Sequence, residues 1–215
     1  MIPKVIHYCW FGRGKMPDLA KKCIESWKKY CPDYEIIEWN EDNFDINCCD
    51  YVREAYESKR FAFVTDYVRL YAMYKQGGIY MDTDVEVTKN LDKFLVHQGF
   101  SGFESDTQIP TGIMAAEKGF PLFKELLSYY DGRHFVDKDG NQDTTTNTVT
   151  ITRMLSERGF VPNGKYQVLD GFALYPRDVF CPLDDATGIM YDSKDTATIH
   201  WFNKSWVPTE IKNKK

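Results

Sequence analysis

The stretch GGIYMDTDVEV, residues 77–87, constrains the fold of this chain more than any other segment. Two glycines precede a short apolar run, which predicts a buried strand, and Asp82, Asp84 and Glu86 follow at alternate positions. Charged carboxylates at the end of a buried strand are costly unless a cation, basic side chains or water compensates them. The choice among these three compensators decides what kind of site the chain can form.

A divalent cation is the compensator that best explains the first two aspartates. On an extended strand Asp82 and Asp84 point to the same side, roughly 7 Å apart, and they come closer in a tighter turn. Two such carboxylates repel each other, whereas Mg²⁺ or Mn²⁺ takes oxygen ligands and keeps positions for substrate phosphates. The pattern therefore predicts a metal and phosphate site at the carboxyl end of a strand, where open α/β sheets bind ligands. In the simpler alternative, both aspartates only solvate a strand end.

The rest of the chain predicts a mixed α/β fold in a single domain, residues 1–215. The opening order of strand, helix and strand favours parallel pairing of the two strands. A long helix ends at Gly77 and Gly78, and GIYMDTDVEV is predicted as a strand with a carboxylate-bearing exit that follows it. The predicted strands are KVIHYCWF, YEIIEW, GIYMDTDVEV, GFSGFE, TGIMAAE, YQVL, FALY and ATIHWF. The predicted helices are MPDLAKKCIESWKKYC, residues 50–58, RFAFVTDYVRLYAMYK, PLFKELLSYY and TVTITRMLSERG. Asn147 is expected either to cap the last of these helices or to face an acceptor.

Composition and charge exclude several classes of protein. A chain of 215 residues with 43% hydrophobic content can bury a proper core. Its net charge of −5 argues against nucleic acid as a main partner. No run reaches the ~18 apolar residues of a membrane span, and the first residues lack the layout of a signal peptide. We therefore expect a cytoplasmic protein, whose basic KNKK tail offers at most a weak contact with the inner face of the membrane.

The six cysteines and the aspartate pair must also be considered for a zinc site and for a nucleophile. The cysteine spacings match no zinc pattern, and free thiols are expected. Asp82 is also a candidate nucleophile of a phosphohydrolase, although that motif has Thr or Val at its fifth position and this chain has Glu86. A third hypothesis is a non-catalytic sugar-binding protein.

Several segments together resemble a known family. The chain resembles the bacterial capsular-polysaccharide glycosyltransferases of glycosyltransferase family 32, which contain a DXD sugar-binding region. More distantly it is similar to the glucosyltransferase domain of large clostridial toxins. The segments that carry the resemblance are IPKVIHYCWFG, SWKKYCPDYEIIEWN, FAFVTDYVRLYAMYKQGGIYMDTDVEV and IHWFNKSW.

The resemblance implies a GT-A fold, with a Rossmann-like mixed sheet flanked by helices. It also implies a retaining hexosyltransferase that uses a divalent metal, usually Mn²⁺ with Mg²⁺ as the alternative. The implied donor is a nucleotide sugar, UDP-galactose or UDP-glucose first and GDP-mannose second. The implied acceptor is a glycan or lipid-linked saccharide in capsular polysaccharide biosynthesis. Residues 1–95 would form the donor-binding half, and residues 96–215 the acceptor half with a C-terminal segment that closes over metal and diphosphate.

The resemblance assigns roles to individual residues. Trp10 matches an aromatic that stacks on the nucleotide base, or else it is a core aromatic. Asp66 and Arg69 match a pair that holds ribose or sugar hydroxyls, or else they form an intrahelical ion pair. Asp82 matches the acid that contacts ribose and metal-bound water, and Asp84 matches the direct metal ligand.

The C-terminal run IHWFNKSW is expected to return beside the metal. His200 is the candidate third ligand, with Asn203 or Ser205 as alternatives, and Trp206 matches an aromatic that closes over the diphosphate. The catalytic candidates are Asp66, Arg69, Asp82 and Asp84, and the metal candidates are Asp82, Asp84 and His200. The donor-binding candidates are His7, Trp10, Asp66, Arg69, Tyr80, Asp82, Ser205 and Trp206.

Overall fold

A computed structural model describes residues 1–109 and 112–203 of the chain. The strands are β1 Val5–Cys9, β2 Glu35–Trp39, β3 Gly78–Met81, β4 Val85–Val87, β5 Gly99–Gly102, β6 Ile113–Ala116, β7 Gln167–Leu169, β8 Phe172–Tyr175 and β9 Thr198–His200. The helices are α1 Asp18–Tyr30, α2 Asp50–Glu57, α3 Phe61–Gln76, α4 Pro121–Ser128, α5 Asn147–Glu157 and α6 Arg177–Phe180.

Seven strands form one mixed sheet in the order β2-β1-β3-β6-β5-β8-β7. β1 runs parallel to β2, as the opening strand–helix–strand pattern predicts, and it also runs parallel to β3. β6 runs antiparallel to β3 and to β5, and β5 runs parallel to β8. The carboxyl ends of β1, β3, β5 and β8 therefore lie at the same edge of the sheet, and the loops that follow them meet there.

Side chains alternate along each strand, so that buried strands present apolar side chains on both faces of the sheet. Helices cover both of these faces. Ile79 and Met81 of β3 pack in a cluster with Trp27 of α1. Tyr80, between them, packs in a second cluster with Val68 of α3. The predicted Rossmann-like mixed sheet flanked by helices is thus confirmed.

The junction between α3 and β3 requires two consecutive glycines. Gly77 and Gly78 have φ values of 71° and 104°, which L side chains rarely adopt. A Cβ atom on Gly77 would lie 2.5 Å from the backbone nitrogen of Lys118. The junction lies at the amino end of β3, so the N-terminal half of α3 and the end of β3 lie together at the carboxyl edge.

The strand predicted from GIYMDTDVEV ends at its acidic exit, but the last residues of the segment form a separate strand, because the chain turns between them. β3 ends at Met81, and the Val85 backbone N–H donates to the Asp82 carbonyl oxygen at 3.0 Å. β4 then leaves the large sheet and pairs antiparallel with β9. Two side chains of α1 hold β4 in place, since Trp27 Nε1 donates to the Val85 carbonyl and Ser26 Oγ accepts from the Val87 N–H.

The six cysteines are all free thiols, and only Cys48 is exposed. None of the helices in residues 1–109 and 112–203 combines the length and the apolar content that a membrane crossing requires.

Candidate active site

A cleft of about 600 Å³ lies at the carboxyl edge of the sheet. Its wall comes from the loop after β1, the N-terminal half of α3, the turn after β3, the loop after β5, the start of α5 and the segment after β9. Ser205 and Trp206 lie outside the described residues; apart from them and His7, every candidate site residue named from the sequence contributes to this wall.

The two aspartates and His200 converge in the cleft. Pairing of β4 with β9 sets His200 opposite Val85, next to the turn that carries Asp82 and Asp84. One ligand atom from each of Asp82, Asp84 and His200 lies within 4.8 Å of the other two. Two carboxylates and an imidazole form a donor set that suits Mn²⁺. These three side chains therefore fit a divalent cation.

Asp84 is the most constrained of the three side chains. Its Oδ1 lies 3.3 Å from His200 Nε2, and its Oδ2 accepts from the Asn203 backbone N–H at 2.8 Å. Burial raises the pKa of Asp84, but these two contacts outweigh burial and lower it. Burial likewise opposes the charge on His200, but the hydrogen bond to Asp84 holds the pKa of His200 well above its usual range. Asp84 is thus an ionised carboxylate held in a fixed orientation.

Asp82 is oriented by residues of α3 and β3. Arg69 Nη2 lies 3.1 Å from Asp82 Oδ1, and the Tyr80 hydroxyl donates to the same oxygen at 2.7 Å. The Arg69 guanidinium also lies over the Tyr80 ring, 4.8 Å from its centroid. Tyr80, a donor-binding candidate from the sequence, therefore contacts a candidate metal ligand directly.

Asp66 and Arg69 form part of a buried ionic network, which differs from an exposed intrahelical pair. Arg69 is 5% exposed and Asp66 is 8% exposed, and Arg69 Nη2 lies 3.4 Å from Asp66 Oδ1. Burial raises the pKa of Asp66 to about 7, although Arg69 opposes that rise. The Arg69 guanidinium contacts both Asp66 and Asp82. It therefore links α3 to the turn that carries Asp82 and Asp84, called the aspartate turn below.

Asn147 supports this network instead of capping its helix. α5 begins at Asn147 after Thr146, and no side chain caps it. Asn147 Nδ2 donates to the Asp66 carbonyl oxygen at 2.8 Å, while its Oδ1 accepts from the Tyr130 hydroxyl at 2.8 Å. The expected capping role is wrong, because both polar atoms of this buried side chain are used elsewhere: Nδ2 joins α5 to α3, and Oδ1 joins it to Tyr130.

Trp10 lines the cleft at the exit of β1, where the sequence places it. Its Nε1 donates to the Gly14 carbonyl oxygen at 2.7 Å, which fixes the indole at one edge. The side chain is only partly buried. A partly exposed indole on the wall of a cleft can stack against a planar ligand.

His7 does not reach the cleft, which corrects its place among the donor-binding candidates. Its side chain is fully buried, and Trp39 Nε1 donates to Nδ1 at 3.1 Å. Nε2 must then carry the proton and donate to the Gly77 carbonyl oxygen at 2.8 Å. Burial lowers the pKa of His7 to about 4, in keeping with a neutral ring. His7 joins β1 to β2 and to the end of α3.

Two of the sequence candidates cannot be placed in the cleft, and four other residues of the cleft were not predicted. Ser205 and Trp206 lie outside the described residues, whereas Asn203 lies in the cleft wall. Phe202 stacks on His200 with ring centroids 4.2 Å apart. The sequence interpretation missed Phe202, Glu104, Gln108 and Asp185 as cleft residues. No local motif marks the last three, because only the positions of β5 and β8 in the sheet bring their loops to this edge.

Comparison with known proteins agrees with this geometry. Residues 17–101 match the family described as glycosyltransferase sugar-binding region containing DXD motif. The solved structure of a glycosyltransferase involved in the glycosylation of the major capsid of PBCV-1 superimposes with a TM-score of 0.53 at 14% identity, over 92% of this chain and 93% of that chain. The chain carries a glycosyltransferase domain of the GT-A fold. The enzyme class predicted from the sequence is thereby confirmed for this domain.

Two curated relatives extend the comparison of the glycosyltransferase domain. An inositol phosphoceramide mannosyltransferase of Schizosaccharomyces pombe is 30% identical over 134 residues, which are 59% of this chain and 36% of the relative. An uncharacterized glycosyltransferase of Acanthamoeba polyphaga mimivirus is 25% identical over 224 residues, covering 97% of this chain and 85% of the relative. The chain thus spans about a third of the length of the fission-yeast relative. The narrower assignment to family 32, and the likeness to clostridial toxins, stay predictions.

Proposed function

We propose that this glycosyltransferase domain moves a hexose from a nucleotide sugar to a hydroxyl of a glycan or lipid-linked saccharide, with retention of configuration and with a divalent metal. The observation that carries the proposal is the convergence of Asp82, Asp84 and His200, whose ligand atoms lie within 4.8 Å of one another. They converge in the cleft that Trp10 and the Asp66–Arg69 pair also line.

In this proposal residues 1–95 bind the donor. Trp10 stacks on the nucleotide base, a contact that contributes roughly 1–3 kcal/mol. Asp66 accepts hydrogen bonds from ribose or sugar hydroxyls, while Arg69 keeps Asp66 and Asp82 oriented. Two further cations, Lys59 and Arg60, line the cleft just before α3 and favour an anionic donor there. Residues 96–215 would then supply the acceptor half.

Asp82, Asp84 and His200 would hold the divalent ion, with Mn²⁺ preferred over Mg²⁺ because of the imidazole. When bound, such an ion neutralises charge that develops on the departing diphosphate. Tyr80 and Arg69 fix the Asp82 carboxylate by contacts of 2.7 and 3.1 Å, so this ligand need not reorganise when the donor arrives. For retention we favour attack of the acceptor hydroxyl from the leaving-group face, with a donor phosphate oxygen taking its proton.

The identity of the donor is the open part of the proposal. UDP-galactose and UDP-glucose are the donors that the resemblance favours. The fission-yeast relative is named as a mannosyltransferase, and it supports GDP-mannose as an equal candidate. The same name mentions a ceramide, which supports a lipid-linked acceptor. A place in polysaccharide biosynthesis, in the cytoplasm and at the inner face of the membrane, belongs to this proposal.

The experiment compares Mn²⁺-dependent hydrolysis of UDP-galactose, UDP-glucose and GDP-mannose by the wild type and by Asp84→Ala. The expected result is hydrolysis of one donor by the wild type, and its loss in Asp84→Ala and in excess chelator. Asp45→Asn, a substitution on an exposed loop, serves as the matched control and should behave as wild type. Full activity of Asp84→Ala, or full activity in chelator, would contradict the proposal. Trapping of a phospho-aspartate at Asp82 would instead establish the phosphohydrolase alternative.

A further inference from the structure

The cleft has two walls of opposite charge. Among the described residues that line it, the permanent cations are Lys59, Arg60 and Arg69, all on α3 or directly before it. The wall on the side of β5 and β8 contains the carboxyl groups of Glu104 and Asp185 and no lysine or arginine among the described lining residues. The aspartate turn separates the two walls. An anionic nucleotide fits the first wall and is repelled by the second.

Backbone hydrogen bonds hold the loop that carries Glu104 at the second wall. It lies two residues beyond the end of β5, and the preceding Phe103 is fully buried, with its N–H donating to the Tyr175 carbonyl oxygen at 2.9 Å. The Glu104 N–H donates to the Gln108 carbonyl oxygen at 2.8 Å, which closes the loop. Because β5 is two strand positions from β3, the loop is on the order of 10 Å from the start of the aspartate turn.

The Glu104 side chain lies in the wall of the cleft. Within residues 1–109 and 112–203 it makes no side-chain hydrogen bond or ion pair, although it is partly buried. Burial raises the pKa of Glu104, and the nearby charges of Asp185 and Asp82 add to that rise, while His200 and Arg177 oppose it. A partly buried carboxylate that lines a cavity is a ready acceptor for hydroxyl donors of a ligand.

Asp185 lies on a hairpin that its neighbour Asp184 anchors. Asp184 accepts from Arg177 Nη1 at 3.2 Å and from the Thr187 hydroxyl at 2.9 Å, which anchors the hairpin. The next residue, Asp185, lines the cleft. The anchored hairpin thus carries a second carboxylate toward the wall that Glu104 forms.

We infer that Glu104 binds the acceptor, and that the acceptor group entering the cleft is an uncharged saccharide unit whose hydroxyls donate to this carboxylate. The inference rests on the proposed glycosyltransferase function and adds the chemical class of the acceptor. Sugar hydroxyls satisfy carboxylate oxygens, whereas a phosphorylated unit would place an anion beside Glu104 and Asp185. Glu104 therefore determines which acceptors are used, and it acts on the acceptor and not on the donor.

The test uses the full chain with Mn²⁺ and whichever nucleotide sugar the wild type hydrolyses. Glu104→Gln is compared with Asp106→Asn, an exposed residue of the same loop that does not line the cleft. The acceptor probes are the methyl glycosides of glucose, galactose and mannose, and the 6-phosphates of these glycosides. Transfer to each probe and hydrolysis of the donor by water are measured separately. Saturation-transfer NMR with UDP and Mn²⁺ reports binding of each probe without turnover.

The expected result is transfer to a neutral glycoside in preference to its 6-phosphate. Glu104→Gln should lower kcat/KM for that glycoside by about tenfold or more and weaken its NMR signal. Donor hydrolysis by Glu104→Gln, and every activity of Asp106→Asn, should stay within about twofold of wild type.

Four results would overturn the inference. They are unchanged transfer by Glu104→Gln, a parallel loss of transfer and hydrolysis, a preference for the 6-phosphates, and no transfer to or binding of any neutral glycoside. A wild type that hydrolyses no nucleotide sugar would overturn the proposed function itself, and the inference with it. Because donor hydrolysis is measured without an acceptor, the two failures are distinguished.

Discussion

Arg69 Nη2 lies 3.1 Å from Asp82 Oδ1, and this contact joins α3 to the turn that carries the candidate metal ligands. The same guanidinium nitrogen lies 3.4 Å from Asp66 Oδ1. Arg69 and Asp66 are buried, so a single cation compensates two carboxylates in a place where an isolated charge would be costly. The donor-binding pair and the metal site are therefore one ionic unit.

Removing the shared cation should destabilise the fold. Arg69→Met leaves Asp66 and Asp82 without their cation, and a broken buried ion pair costs about 3–5 kcal/mol in the free energy of unfolding. Arg69→Lys keeps the charge but not the planar fork, and should fall between Arg69→Met and wild type. Urea unfolding at neutral pH measures both variants. A loss below about 1 kcal/mol for Arg69→Met would show that the network contributes little.

Asp66 should make the stability of the metal-free protein depend on pH. Its pKa is 3.8 as a free carboxyl and rises to about 7 in the folded protein because of burial. Since the folded state holds the proton more tightly, protonation stabilises the fold, and this stabilisation is lost as pH rises from about 4 to about 7. Asp66→Asn has no such group, so its free energy of unfolding should rise relative to wild type across that interval. Unfolding curves at several pH values with a constant difference between the two proteins would refute the assignment.

His7 should matter for stability and not for the donor. His7→Leu leaves the Trp39 Nε1–H and the Gly77 carbonyl without partners, at a cost of about 1–3 kcal/mol for each buried group. Calorimetric affinity for UDP with Mn²⁺, measured well below the melting temperature, should equal that of wild type. A stable His7→Leu variant with weakened UDP binding would restore His7 to the donor site.

Trp10 should contribute to nucleotide affinity through its ring. Trp10→Ala removes the stacking surface, and UDP binding should weaken by about 1–3 kcal/mol. Trp10→Phe keeps an aromatic face and should retain most of the affinity. Titration calorimetry with UDP and Mn²⁺ separates the two substitutions. Equal affinity of Trp10→Ala and wild type would mean that Trp10 serves only the core.

Local sequence patterns predicted the elements well where one face of the element is buried. The helix at Phe61–Gln76 and the strand at Val5–Cys9 follow from apolar periodicity and from the glycines after the helix. The separate strand after Asp82–Asp84 was not predicted, because alternate acids fit both a continuing strand and an exit turn. The side chains of Ser26 and Trp27 and the pairing with β9, all distant in sequence, hold β4 away from the large sheet.

The candidate site could be predicted in part. Asp82 and Asp84 stand out because carboxylates after an apolar strand require compensation, and His200 came from the resemblance of its segment. The environment of Asn147 and Glu104 depends on contacts between elements far apart in sequence, such as the bond from Asn147 Nδ2 to the Asp66 carbonyl oxygen. A single sequence carries no local signal for such contacts.

The most direct test of the proposed metal site is anomalous diffraction at the manganese edge from crystals soaked with Mn²⁺ and UDP. The expected result is one strong peak within bonding distance of Asp82, Asp84 and His200, with the UDP phosphates beside it. UDP bound in the cleft with no peak at these three side chains, and with Asp84 still paired to His200, would contradict the central claim.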